Sequence, residues 1–303
     1  MDKWTPSLWL TATTLESHLG TEDITAPVAQ KLLEHSGLLA LKSTLSTRQG
    51  GYQDPSPDNR LNDELNVLDI GTGLGQVTST LVDNIKNHES EAGNRVKIVA
   101  GDIAGSLLDH LNEGKAKNGW EMVDVECLDG NELSKPDDTF DFVFANFLFA
   151  NLQDPLVGIK ESIRVLKPGG TLSFSTWGAH GPFQVIQRAI SLLPSYPLTD
   201  PLPSPGGEPW SHPRYLHKTL LEQGLEDIRI EPFEYVHTAH SPGEMTYKMK
   251  SIVPYVTFQW GDEREELGWK LFEIIEETLR REQGDGPVRL VSVAIVVSAR
   301  KPE

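Results

Sequence analysis

The stretch Val67 to Gly75, VLDIGTGLG, constrains the fold of this chain more than any other part of it. A short apolar run ends at Asp69, and glycines follow at 71, 73 and 75. A helical spacing starts at once with Val77, Leu81 and Ile85. That succession predicts a strand, a tight turn and a helix. In open α/β sheets a nucleotide-like ligand lies against the carboxyl end of such a strand. Glycine there removes the Cβ atoms that would hold a ligand away from the backbone. The form of the turn narrows the ligand. A dinucleotide fingerprint would place its third glycine at 76, where Gln76 stands, and a phosphate loop would need Gly-Lys-Ser/Thr where the chain has Leu74-Gly75-Gln76. What remains is D-x-G-x-G-x-G. A buried carboxylate at Asp69 suits a ligand with an ammonium group and would repel a pyrophosphate.

The strands that follow extend the site. Val96 to Ala100 ends in Gly101-Asp102, and an acidic side chain at that tip can accept both hydroxyls of a ribose. Asp102 can equally cap the next helix, Ser106 to Asn118. A third strand, Met122 to Cys127, leads into Leu128-Asp129-Gly130, which also reads as an ordinary Asp-Gly turn. Cys127 is expected to be a small buried hydrophobe of that strand. Phe140 to Ala145 is apolar on both faces, as in the centre of a parallel sheet, and Asn146 and Phe147 follow at its carboxyl end. A helix from Asp154-Pro155 closes at Arg164. Pro168 is expected to stop it, and Gly169-Gly170 to reverse the chain into a fifth strand, Thr171 to Trp177.

D-x-G-x-G-x-G, with FDFVFAN, RVLKPGG and LSFSTW at these intervals, resembles the class I S-adenosylmethionine-dependent methyltransferases of the small-molecule type. The resemblance covers Asn66 to Trp177. It implies a Rossmann-like α/β fold, with a seven-stranded sheet of six parallel strands and an antiparallel seventh. It implies S-adenosyl-L-methionine as cofactor, contacted by Asp69, Gly71, Thr72, Gly73, Gly75, Asp102, Ile103, Asp129, Gly130, Asn146 and Phe147. Asp129 falls where the family's acidic residue meets the adenine amino group. Adenine-N6 and glutamine methyltransferases carry Asn-Pro-Pro-Tyr after the fourth strand; Asn146-Phe147-Leu148-Phe149 departs from that and argues against those substrates.

Composition bounds the partners. The chain has 303 residues, a net charge of −17 and a single cysteine. A nucleic-acid methyltransferase would need a basic face, and no Lys/Arg cluster is present. The longest apolar runs are too short to span a bilayer, and Lys3 precedes no apolar leader. One cysteine fits a reducing compartment, so a cytoplasmic protein is expected. Its oligomeric state is open.

Three parts are expected: a helical cap over 1–47, a mobile loop over 48–63, and the catalytic domain over 64–303, with lid inserts near 178–212 and 240–284. The cap is read as a helix over Ile24 to Leu41, with Thr25 as its cap and Pro27 in its first turn. The proline-rich stretch Pro194 to Trp210 is expected to be a pinned loop. Beyond it come a helix near Pro213 to Gln223, a strand Asp227 to Val236, a helix Asp262 to Glu282 and a strand Val288 to Ala299. Ser241 to Trp260 holds Met245, Tyr247, Met249, Tyr255, Phe258 and Trp260, a surface suited to irregular apolar ligands. Trp177, Tyr247, Met249 and Trp260 are therefore candidate substrate contacts.

Methyl transfer from a sulfonium is an in-line displacement, in which the protein aligns the reactants and excludes water. A base helps only where the nucleophile is protonated: a thiol of pKa about 8.5 barely needs one, a phenol near about 10 benefits. His180, three residues past the fifth strand, is the candidate base, or else a surface-loop histidine. His237 and His240 have no Cys or carboxylate partner in sequence and do not form a metal motif. The expected reaction transfers a methyl group to a thiol, hydroxyl or amine of a small, largely apolar molecule, in the manner of fungal natural-product enzymes. Protein lysine or arginine methylation, and S-adenosylmethionine binding without methylation, remain alternatives.

Overall fold

The computed structural model describes residues 15–19, 22–39, 64–87, 96–193, 209–257, 260 and 264–303. The loop read over 48–63, most of the proline-rich stretch, Phe258 and Asp262 lie outside them.

Seven strands form one sheet in the order β3-β2-β1-β4-β5-β7-β6. They are β1 Leu65–Ile70, β2 Val96–Asp102, β3 Val123–Cys127, β4 Phe140–Ala145, β5 Leu166–Ala179, β6 Glu226–Ala239 and β7 Val288–Arg300. β1 to β5 pair in parallel, and β7 runs antiparallel to both β5 and β6, so six strands share one direction. This is the expected Rossmann-like sheet.

Alternation along the central strands fills both faces. Val67, Ile98, Phe142 and Phe144 pack on one side with helix α2 (Ala26–His35), α3 (Gln76–Asn87) and Leu111 of α4 (Gly105–Asn118). Leu68, Ile70, Val143, Ala145, Leu172 and Phe174 face the other way, toward α5 (Pro155–Val165) and α7 (Pro213–Glu222). Period-2 strands that are apolar throughout can be buried only in this way. A third core joins α6 (Gly181–Ile190), α8 (Pro242–Lys248), α9 (Ile252–Thr257) and α10 (Arg264–Gln283). A short helix, α1 (Leu15–His18), precedes α2. Among the described residues no helix is long and apolar enough to cross a membrane.

Several expectations are corrected. The cap helix is shorter than Ile24 to Leu41, because Ile24 belongs to a 3-10 turn and Gly37 follows at φ 82°; Thr25 makes no side-chain cap bond. The reversal after α5 comes at Val165, before Pro168. Leu166 already pairs with Phe140 while Thr171 pairs with Phe142, so Lys167 to Gly170 bulge out of the ladder, with Gly169 at φ 74°. Arg164 contributes here, donating to Glu161, Asp137 and the carbonyls of Leu133 and Lys135. Cys127 is exposed, since it ends the edge strand β3. Helix α6 was not among the expected elements.

Candidate active site

The turn after β1 gathers the sequence motif. Gly71, Gly73 and Gly75 all have positive φ (65°, 56° and 83°), which a side-chain-bearing residue adopts only at a cost. Their lack of Cβ serves different ends. A Cβ at Gly75 would stand 2.5 Å from Leu111, and one at Gly71 would stand 2.7 Å from Leu148. Those two let the turn pack on neighbouring side chains. At Gly73 the nearest atom would be Gln76 Oε1 at 3.8 Å, leaving that position open to a ligand.

Asp69 is 1% exposed. Its Oδ2 accepts from Thr72 Oγ1 (2.7 Å), Thr78 Oγ1 (2.7 Å) and the Thr78 backbone N–H (3.2 Å). Its Oδ1 is buried with no hydrogen-bond partner among the described residues. Burial raises its pKa to about 6, against the pull of Thr72 and Thr78, with Asp102 adding repulsion. The raised value means the folded state binds a proton more tightly than the unfolded chain. The carboxylate therefore weighs on stability as pH rises toward about 6, until a cation compensates it.

Asp102, also buried, links the two strand tips. Its Oδ2 accepts from Gly73 N–H (2.9 Å) and its Oδ1 from Ala104 N–H (2.9 Å), at the N-cap position of α4. Burial raises its pKa, opposed by its backbone hydrogen bonds and by His18 of α1. Ile103, half-buried, follows it. Asp129 accepts from Asn131 N–H (2.8 Å) in the turn, and a Cβ at Gly130 would press on Leu152 (3.1 Å). An orphaned carboxylate oxygen, an open glycine and a second acidic tip, with no Lys or Arg in the turn, fit an ammonium-bearing, phosphate-free nucleoside.

At the end of β4 the chain joins this site to the cap. Asn146 accepts from Ser175 Oγ (2.7 Å), and its amide donates to the carbonyl of Thr25 (3.4 Å). Phe147 sits at φ 56°, held there by its N–H to Ser175 Oγ (2.9 Å) and by stacking on Trp177 at 3.9 Å. A bulky residue in that region is strained and persists only where its surroundings enforce it. Trp177 stacks in turn on His180 at 3.9 Å, and the His180 ring lies 6.3 Å from that of His237.

The surface-loop reading of His180 is corrected. It is buried rather than on a surface loop, and it caps α6 by accepting from Phe183 N–H through Nδ1 (3.4 Å). That contact assigns its proton to Nε2 and occupies the lone pair a base would use. Burial, with His237 nearby, lowers its pKa to about 3. His180 therefore caps α6 as a neutral imidazole.

Beside this column lies a cavity of about 520 Å³, lined by Ile24, Ala26 and Pro27 of the cap, Pro182, Val236 to Thr238, and Met245, Lys248 and Met249. Of the four expected substrate contacts, only Met249 lines it. Trp177 is one stacking layer away, Trp260 packs on the third core, and Tyr247 is 59% exposed beneath Lys250 (4.2 Å). Tyr247 lies away from the cavity because Met245 of α8 and Met249, which follows it, turn inward and leave residue 247 outside. Sequence reasoning missed Lys248 and His237 as cavity walls. The i, i+4 spacing of Met245 and Met249 was the one signal that could have marked the inner face.

Residues 54–179 match the ubiE/COQ5 methyltransferase family. The chain is 25% identical over 242 residues to the methyltransferase tpcH of Aspergillus fumigatus, covering 78% of this chain and 84% of that protein. The chain is an S-adenosylmethionine-dependent methyltransferase. This methyltransferase is also 23% identical over 212 residues to the acetylaranotin bis-thiomethyltransferase of Aspergillus terreus, covering 69% and 65% of the two chains. A solved Bacillus halodurans structure, 20% identical with a TM-score of 0.50, covers 78% of this methyltransferase and 93% of that chain, and shares its fold.

Proposed function

We propose that the methyltransferase transfers the methyl group to a thiol, hydroxyl or amine of a small, largely apolar secondary metabolite, in the cytoplasm. The cavity carries this reading. Its walls come from α6 and β6, from the cap and from the insert between β6 and β7, the last two acting together as a lid, and its size suits a small molecule rather than a folded protein surface. The fungal relatives support the same substrate class.

When bound, the cofactor supplies a methyl group on a cationic sulfur, ready for displacement. The chain's part is to hold and to exclude. Asp69 offers an anionic oxygen to an ammonium, and Asp102 offers acceptors to ribose hydroxyls. Asn146 couples the cofactor strand to the cap through Thr25, so closure over the cavity and alignment at the site are joined. Phe147 and Trp177 form an apolar wall that keeps water from the transfer. No base is required of His180, which leaves acceptors that ionise near neutrality favoured.

The test uses S-adenosylmethionine labelled in its methyl group, with panels of apolar thiols, phenols and amines and of basic peptides. Label in small molecules, with equimolar S-adenosylhomocysteine, is expected. Label confined to peptides, or product without S-adenosylhomocysteine, would overturn the proposal.

A further inference from the structure

The turn after β1 holds a charge that its own contacts satisfy on one side only. Asp69 is almost fully buried, and its register neighbours are Ala100 on β2 and Phe144 on β4, both apolar and buried. Three donors converge on Oδ2, from the Thr72 hydroxyl and from the hydroxyl and backbone of Thr78 at the start of α3. Oδ1 has no hydrogen-bond partner among the described residues. The charged group that bears on Asp69 is Asp102 at the tip of β2, and it repels. Asp102 is buried as well, with His18 of α1 as the basic group that faces it.

An unpaired carboxylate oxygen in such surroundings costs far more than an unpaired hydroxyl, so the group takes up a proton rather than hold its charge. Oδ2 remains an acceptor in either form and keeps its three donors, so the proton falls to Oδ1. Burial, with Asp102 adding to it, accordingly pushes this carboxyl up to about 6. Oδ1 is also the oxygen left to meet the ammonium of the cofactor. A proton and an ammonium thus compete for one atom. We infer that Asp69 carries a proton in the cofactor-free protein and that cofactor binding expels it, so that uptake exchanges a proton for an ammonium. The O–H bond of Asp69 breaks, the proton passes to solvent, and the ammonium, already charged, donates to the freed oxygen. Acid then weakens binding in proportion to the protonated fraction of Asp69. The exchange is independent of which acceptor the enzyme methylates.

Titration calorimetry of the intact protein with S-adenosylhomocysteine, repeated in buffers of different ionisation enthalpy, counts the protons released. About three quarters of a proton per chain is expected at pH 5.5 and almost none at pH 8, with affinity about tenfold weaker at pH 5 than at pH 7.5. Methylthioadenosine keeps the nucleoside and lacks the ammonium, and is expected to release less than about a fifth of a proton at pH 5.5. Asp69→Asn is expected to bind S-adenosylhomocysteine with no proton release and an affinity flat across this range. Thr78→Val removes one donor from Oδ2 at nearly constant volume. It is expected to raise the pH midpoint of release by about half a unit, with methylthioadenosine affinity changed less than about twofold. Thermal unfolding confirms that each variant is folded. Equal release by the two ligands would assign the proton to Asp102 and overturn the inference. Release that persists in Asp69→Asn, or a midpoint unmoved by Thr78→Val, would overturn it too. Failure of both ligands to bind the wild type at any pH would overturn the cofactor site and the inference together.

Discussion

The two halves of the molecule achieve order by different means. Around the β1 turn, nearly every contact runs between backbone and a few small or acidic side chains: Asp69 to Thr72 and Thr78, and Asp102 to Gly73 and Ala104. Around the cavity, order comes from bulk, through a stack of Phe147, Trp177 and His180 and through Met245 and Met249. The first arrangement tolerates little variation, because a single Cβ or carboxylate decides it. The second can be filled in many ways.

That contrast is most easily broken at Gly75. Gly75→Val combines a left-handed backbone with a clash against Leu111, and is expected to lower unfolding free energy by about 4 kcal/mol in urea titration. A loss below about 1 kcal/mol would mean the turn is as forgiving as the cavity. On the other side, His180 has a folded pKa depressed to about 3, so its contribution is complete above pH 6.5 and is lost as pH falls below that value. Between pH 7 and 4 the wild type should lose about 3 kcal/mol more than His180→Asn, measured by denaturant unfolding at each pH. Parallel curves would remove the buried neutral imidazole from the account.

The turn was legible in sequence because its physics is local. Glycines at alternate positions and an acid two residues before them leave few backbone solutions, and an apolar run such as Phe140 to Ala145, which must be buried on both faces, marks a central parallel strand. The bulge at Lys167 to Gly170 was not legible, since Pro168 stops a helix in either geometry and only pairing with β4 reveals where the reversal falls. The burial of His180 was not legible for a related reason. Burial of a histidine depends on what stacks upon it, and Trp177 and Phe183 meet it only in three dimensions. The cavity is the extreme case, with walls from residues 24–27, 182 and 236–249, far apart along the chain.

Two smaller effects sharpen the comparison. Asp102→Ala is expected to weaken S-adenosylhomocysteine by about 2 kcal/mol in calorimetry, because two backbone donors and the ribose lose one carboxylate. Unchanged affinity would strip the acidic tip of its role. Tyr247→Ala, at an exposed position on α8, should alter stability and acceptor affinity by less than about 0.5 kcal/mol. A larger loss of affinity would extend the acceptor site to the outer surface of the insert.

The latches on the cap have an evolutionary consequence. Asn146 grips the carbonyl of Thr25, and the buried hydroxyl of Tyr235 donates to the carbonyl of Ile24 (2.9 Å). Both fasten main-chain oxygens, which every amino acid carries. Residues 24 to 27 can therefore be rewritten without unfastening the segment. A new cavity surface can be tried while the catalytic frame stays shut, so a library randomised at Ile24, Ala26 and Pro27 is the short route to an enzyme of altered taste.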